Sequence, residues 1–346
     1  MDTARPHRTE DTPRVAVVGY GLGGRVFHVP VAAEAGLEVS HVVTSNPERA
    51  AQVREAAPGA RVVASLAALL ADDARPDVVV VTTPSALHAE HARAVLDAGL
   101  PVVVDKPLAT DAASARALVE HAERTGGRLT VYQNRRWDDE QRTLRAVLAA
   151  GELGTVHRFE RRWERWRPEP LSRWKENDTV GGGLLLDLGS HLVDAAIELF
   201  GPVRSVYAEV QGLKTPADDD VFLALTHVSG VRSHLAAGGL VGAPGPRTRV
   251  LGDHGAFLVT SFEGEASPFT ALDEDAQGVG GWLVHGDERR AVPTPPGDHA
   301  DFYRDVARWL VDGGPVPVDP WDAVRTLEVL DAARASARTG QVVQIG

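Results

Sequence analysis

The chain has 346 residues, about twice the size of an ordinary domain, so two domains are expected. With 43% apolar and 24% charged residues it is a folded globular chain, and a formal net charge of -12 disfavours nucleic acid and anionic membranes as partners. There are no cysteines, which excludes disulfides, iron–sulfur clusters and thiolate zinc sites and fits a cytoplasmic enzyme.

The opening "MDTARPHRTEDTPR" is polar and lacks the apolar core of a secretory leader, so residues 1–13 are expected to be a disordered tail. No apolar run reaches the roughly 18 residues that would cross a membrane. From residue 14 strands and helices alternate. Strand "RVAVVGYG" precedes helix "GRVFHVPVAAEAG", then come strand "LEVSHVVTS", strand "RVVA" and helix "SLAALLADDA". The run continues with strand "DVVVVTTP", helix "SALHAEHARAVLDAG", strand "LPVVVDKP", helix "TDAASARALVEHAERTG" and strand "RLTVYQN". Unbroken valine runs suit parallel strands buried on both faces, and Gly36, Gly99 and Gly126 sit where left-handed helix caps belong. The fold class expected is α/β, with a Rossmann domain over 14–134.

"GYGLGG" joins the first strand to the first helix. Gly19, Gly21 and Gly24 match G-x-G-x-x-G, with Leu22 between them. Such glycines permit a tight turn and close approach of backbone to a pyrophosphate, which the helix N-terminus then binds. A carboxylate for the adenosine ribose would be expected about 20 residues further on. Thr44, Ser45, Asn46 and Arg49 stand there instead, with no carboxylate at the strand end, so NADP is preferred and NAD kept as the alternative. Arg49 reads equally well as an exposed helix residue. Thr82, Thr83 and Pro84 end another strand at the same edge, and His88 either approaches the cofactor or is a solvated first-turn histidine.

From Arg135 the rhythm changes, and 135–346 is expected to be an α+β domain with a mostly antiparallel open sheet for substrate binding and oligomerisation. A helix over "DDEQRTLRAVLAAG" precedes a long strand in "GTVHRFERRWERWRP", with strands near 203–213, 220–228, 231–241 and 247–262 and helices near 298–312 and 320–338. The tract 263–298, rich in Gly, Asp, Glu and Pro, reads as irregular surface. Alternation places Arg161, Trp163, Arg165 and Arg167 on one side of the long strand and Arg162, Glu164 and Trp166 on the other. This is either a sugar pocket or a charged outer face with tryptophans in a subunit interface. Trp137, Arg173 and Trp174 are the remaining substrate candidates, since Arg hydrogen-bonds and Trp stacks on a polyhydroxylated ring. A basic lining would equally suit an acidic sugar.

The element order, the glycine turn, "VVVDKPLA" and "GGGLLLDLGSHLVD" together resemble the Gfo/Idh/MocA oxidoreductases over nearly the whole chain. "VVGYGLGGRVFHVP", "YQNRRWDDE" and "RWRPEPLSRWKE" are similar to the NADP-dependent scyllo-inositol dehydrogenase branch of that family. Asp105 stands where Glu is usual, and Asn46 where relatives can carry arginine. The resemblance implies a catalytic Lys106, Asp187 and His191, a cis bond before Pro107, and nicotinamide-ribose contacts from Gln133 and Asn134. Chemistry agrees, because oxidising a secondary alcohol needs a base that titrates near neutrality, for which His191 serves. Lys106 would hold the substrate oxygen, and Asp187, four residues before His191 on an expected helix, would orient it or the substrate. A metal could use the same pair but lacks a third ligand, and none is expected. The partners implied are a small polyol or sugar and further copies of the chain, as a homodimer or homotetramer. A nicotinamide-dependent glycosidase and a sugar-sensing regulator on this fold are the alternatives.

Overall fold

The structure, a computed structural model, describes residues 12–171, 173–260 and 278–346. The expected tail lies outside the described residues except for Thr12 and Pro13, as does 263–277 of the tract read as irregular. The chain forms two compact units. One holds the chain up to Ala109, Ala117–Tyr132 and His299–Pro320; the other holds Thr110–Arg116, Gln133–Asp298 and Trp321–Gly346.

Six strands make the first unit's sheet: β1 (Arg14–Val18), β2 (Glu38–Val43), β3 (Arg61–Val63), β4 (Val78–Val81), β5 (Val102–Asp105) and β6 (Leu129–Tyr132). Their order is β3-β2-β1-β4-β5-β6 and every pairing is parallel. All four valines of β4 and the three of β5 are fully buried, as strands covered on both faces must be. The winding direction reverses between β1 and β4, so the crevice for a ligand opens at their carboxyl ends.

A division of the chain at residue 134 is corrected at two segments, since Thr110–Arg116 groups with the second unit and His299–Pro320 with the first. Helix Ala300–Val311 folds with the first unit, because its buried face of Phe302, Tyr303, Val306 and Trp309 covers the edge of this sheet. Phe302 meets the Tyr132 ring edge-on at 4.8 Å, and Thr130 Oγ1 donates to the Val318 carbonyl at 2.9 Å.

Among the described residues the second unit contains nine strands: β7 (Val156–Glu164), β8 (Val203–Gln211), β9 (Asp220–His227), β10 (Arg232–Gly238), β11 (Thr248–Gly252), β12 (Ala256–Val259), β13 (Val279–His285), β14 (Glu288–Pro293) and β15 (Val343–Gln344). Their order is β14-β13-β12-β11-β7-β10-β9-β8-β15, antiparallel except where β10 meets β7. Strict alternation along β9 buries Val221, Leu223 and Leu225 on one face. Helix Pro320–Thr339 belongs to this unit, where Ser336 Oγ accepts the Ala208 N–H at 3.0 Å.

The expectation of irregular surface fails over 279–293, where β13 and β14 form an antiparallel hairpin that extends the sheet through β12. The physical reason is position. An edge hairpin exposes most of both faces, so β14 buries only Val292 and carries no readable apolar alternation.

Candidate active site

In the first unit the glycine turn closes tightly. Gly19 has φ 107°, and a Cβ there would stand 2.6 Å from the Thr82 carbonyl. A Cβ on Gly24 would collide with the Gly19 carbonyl, whereas Gly21 faces open space and Leu22 is exposed. Gly23, absent from the motif as read, matters as much: a Cβ there would run into Thr82 Oγ1 and lie 2.9 Å from Asp105 Oδ2. The segment after the turn is not a plain α-helix. Gly23–His28 is a π-helical turn, followed by helix Val29–Glu34.

Asp105, at the end of β5, is the hub of this edge. Its Oδ2 accepts the Thr82 hydroxyl at 3.0 Å and its Oδ1 accepts the Lys106 backbone N–H at 2.8 Å. Burial raises its pKa, but the neighbouring charges of His28, His88 and Lys106 more than offset this and hold the carboxyl well below the usual range. The Lys106–Pro107 bond is cis, as the family resemblance implied. His88 is neither solvated nor turned to a ligand. Its Nδ1 and Nε2 each lie 2.7 Å from a carbonyl, of Pro107 and Thr83, so it brackets the ends of β4 and β5. Burial lowers its pKa, opposed by Asp105 and by the two carbonyls. Thr83 Oγ1 pairs with His91 Nδ1 at 3.2 Å, and Pro84 opens the next turn. At the end of β2, Ser45, Asn46 and Arg49 are exposed, Thr44 is half-buried, and Asn46 Oδ1 caps the following helix by accepting the Arg49 N–H at 2.9 Å. A cradle that tolerates no Cβ at three glycines, beside open space at a fourth, fits a dinucleotide.

In the second unit "GGGLLLDLGSHLVD" is two helices, Leu184–Asp187 and Gly189–Phe200, rather than one. Leu188 between them keeps helical dihedrals, so the four-residue spacing of Asp187 and His191 survives the break. The first helix begins where Leu184 N–H donates to the Asp218 carbonyl at 2.9 Å and Leu185 N–H to Asp218 Oδ2 at 2.6 Å. Asp187 accepts from Lys175 Nζ at 2.6 Å. His191 is buried, its ring 5.9 Å from that of Trp163. Trp163 in turn carries the guanidinium groups of Arg135, Arg165 and Arg247 at 4.9, 5.4 and 4.7 Å from its ring centre. Lys175 and Trp163 were not singled out as partners of Asp187 and His191, since only folding brings such distant positions together.

A cleft of about 100 Å³ in this unit is lined by Arg165, Arg167, Arg173, Lys175, Lys214 and Asp187, among others. Of the expected pocket pair, Arg173 lines it while ion-paired to Glu176 at 3.0 Å. Trp174 does not; it is 48% exposed beside Lys175. The arginine-rich strand splits by depth. Arg161 is buried, donating to Gln141 Oε1 at 2.6 Å, and cannot serve a pocket. Glu160, Arg162 and Arg249 pair on the opposite face, and Trp166 is exposed. Gln133 and Asn134 are buried next to half-buried Trp137, and the Gln133 Oε1 has no hydrogen-bond partner among the described residues. Among the described residues no helix is long and apolar enough to cross a membrane.

Comparison with known proteins agrees with this layout. A family profile described as "Oxidoreductase family, NAD-binding Rossmann fold" matches residues 13–133, and one described as "GFO/IDH/MocA C-terminal domain" matches 141–258. The chain is 31% identical over 352 residues to scyllo-inositol 2-dehydrogenase (NADP(+)) IolW of Bacillus subtilis, covering 98% of this chain and 97% of that protein. A crystal structure of the oxidoreductase yvaA from Bacillus subtilis is 30% identical with a TM-score of 0.86, covering 98% of this chain and 100% of that one. The WlbA dehydrogenase from Bordetella pertussis, solved with NADH and UDP-GlcNAcA, is 25% identical with a TM-score of 0.80, covering 98% and 99%.

Proposed function

The chain belongs to the Gfo/Idh/MocA family of NAD(P)-dependent oxidoreductases, and we propose that it oxidises a ring hydroxyl of a cyclic polyol, scyllo-inositol, with NADP. The observation that carries the substrate is the likeness, along 98% of the chain, to a scyllo-inositol 2-dehydrogenase (NADP(+)). The preference for NADP is supported by the end of β2, where Thr44, Ser45 and Asn46 stand in place of the carboxylate that would hold the adenosine ribose, with Arg49 exposed beyond Glu48.

When bound, the nicotinamide takes the hydride or returns it. The chain's own residues manage the oxygen and the proton. Lys106 holds the substrate oxygen and stabilises charge developing on it. His191 takes the hydroxyl proton on an imidazole nitrogen, its ring held against Trp163. Asp187, fixed by Lys175, orients the substrate hydroxyls. Thr44, Ser45, Thr82, Thr83, Pro84, Asp105 and Asn134 shape the cofactor site, and Trp137 and Arg173 the sugar site. A homodimer or homotetramer in the cytoplasm completes the proposal, with light scattering as the check on assembly.

A second substrate class, a sugar carrying a carboxylate, is favoured by Arg165 and Arg167 in the cleft that Asp187 lines. Initial rates of nicotinamide reduction with scyllo-inositol and with a hexuronic acid, each with NADP and NAD, separate the two. Turnover of scyllo-inositol with NADP that Lys106→Ala and His191→Ala both abolish is the expected result. Turnover of the hexuronic acid alone would overturn the polyol assignment and leave the family standing.

A further inference from the structure

We propose that His28 and Tyr303 form a buried brace behind Asp105 and act as positioning residues for the dinucleotide, a role that rests on the NAD-binding character of the first unit. His28 lies four residues beyond the glycine motif, Tyr303 lies in no motif, and the two stand 275 positions apart.

The wide turn Gly23–His28 swings His28 inward until its side chain is 0% exposed. Its ring lies 4.4 Å from that of Tyr132 and 6.3 Å from that of Tyr303. Nδ1 is 2.6 Å from the Tyr303 hydroxyl, and Nε2 is 3.3 Å from Asp105 Oδ2. The protons follow from what each partner can do. Asp105 is held ionised and only accepts, so Nε2 carries a proton. In the tautomer that presents Nε2–H to Asp105, Nδ1 accepts from Tyr303, whose hydroxyl burial keeps protonated and therefore donating. Tyr303 thus donates to His28, whose Nε2 faces the Asp105 carboxylate at 3.3 Å as a charge–dipole contact.

Asp105 passes this constraint outward. Its two oxygens already hold the Thr82 hydroxyl and the Lys106 backbone N–H, and the backbone of Gly23 rests against the Thr82–Asp105 pair. The brace therefore fixes together the glycine turn, the end of β4 and the residue that opens the Lys-Pro segment. One detail separates positioning from packing. Nε2 faces Oδ2 at 3.3 Å without the alignment of a hydrogen bond, and it is a buried donor with no aligned acceptor among the described residues. A core histidine selected for packing alone has no reason to present that nitrogen to the carboxylate beneath the glycine turn.

The rings of Tyr132, Phe302 and Tyr303 supply packing that does not require the polar atoms, so substitutions can divide the two roles. NADPH fluorescence titration and thermal unfolding would be run on the full chain, on Tyr303→Phe, on His28→Met and on His28→Gln. Tyr303→Phe should stay folded with a modestly lowered melting temperature, because buried Nδ1 loses its donor, and should weaken NADPH binding by about three- to tenfold. His28→Met should weaken it further, and His28→Gln, which returns a donor near the Nε2 position, should regain most of the loss. Unchanged affinity in Tyr303→Phe and His28→Met, or loss in the histidine variants that Gln does not restore, would overturn the brace. Should His28→Met fail to fold, Tyr303→Phe and His28→Gln still decide. A wild-type chain that bound neither NADPH nor NADH would overturn the dinucleotide reading itself, and the brace with it.

Discussion

Single atoms decide most of the glycine turn. At Gly24 a methyl would meet the Gly19 carbonyl, so Gly24→Ala should lose roughly 1–3 kcal/mol of stability, the usual cost of overpacking, read by denaturant unfolding. At Gly21 a methyl meets nothing within 4 Å. Gly21→Ala should therefore melt like the wild type yet bind NADPH about tenfold or more weakly, because the pyrophosphate needs that space. Normal binding by Gly21→Ala would mean the dinucleotide does not cross this glycine. The Lys175–Asp187 pair behaves in the opposite sense. Both partners are about a third exposed, so Lys175→Met should change stability by less than about 1 kcal/mol. It should lower kcat/KM by about tenfold if Asp187 needs the ammonium to stay aimed at the substrate. An unaltered kcat/KM would remove Lys175 from the site.

Elements of the second unit are tied by buried charge. Arg136, in the short turn Asn134–Trp137, donates to Asp194 at 2.9 and 2.6 Å and to Asp322 at 3.0 Å. Asp194 lies one turn beyond His191 on helix Gly189–Phe200, and Asp322 opens helix Pro320–Thr339. One guanidinium thus anchors three elements, one of which carries the expected base. Removing it alone strands the buried carboxylate of Asp194, while Asp322 keeps Arg325 at 2.7 Å, and Arg136→Met should cost about 3–5 kcal/mol. The double substitution Arg136→Met with Asp194→Leu should recover much of that loss, because an apolar pair can replace a buried ion pair. Equal destabilisation by single and double variants, measured by urea unfolding, would show that Arg136 acts mainly through Asp322.

For the whole molecule, buried histidines set the response to acid. His227 in the second unit donates from Nδ1 to the Gly201 carbonyl and takes the Ser233 hydroxyl on Nε2, both at 2.8 Å, and burial lowers its pKa. Burial also lowers that of His88 in the first unit. Both folded-state values lie below the ordinary histidine value of about 6.5, so below that pH the unfolded chain binds protons that the folded chain refuses. Stability is then complete above about pH 6.5 and falls as the pH drops further, the sign opposite to that of a histidine paired with a carboxylate. Melting temperatures between pH 8 and 5 should show this decline, and His227→Gln should make it shallower. A flat profile through that range would remove the histidines from the account.

What the sequence could determine alone is what depends on neighbours along the chain. Valine runs separated by amphipathic helices specify a parallel sheet because strand burial and helix period are local properties, and the order β3-β2-β1-β4-β5-β6 followed. Gly19, Gly21 and Gly24 were legible because their spacing is local, and the motifs around Lys106, Asp187 and His191 for the same reason. Folding decided the rest. The hairpin β13–β14 was hidden because an exposed edge leaves no apolar alternation to read. Helix Ala300–Val311 joined the first unit because its apolar face fits β6, and nothing in its own sequence names the surface it will cover. Trp174 gave way to Lys175 at the cleft, and Trp163 emerged beside His191, because a side chain's neighbours across a sheet or a loop are fixed by packing at distances the chain order does not encode. Asp105 shows both sides at once: its place after a valine strand was visible, whereas its contacts with His28 and Thr82 exist only once three elements converge.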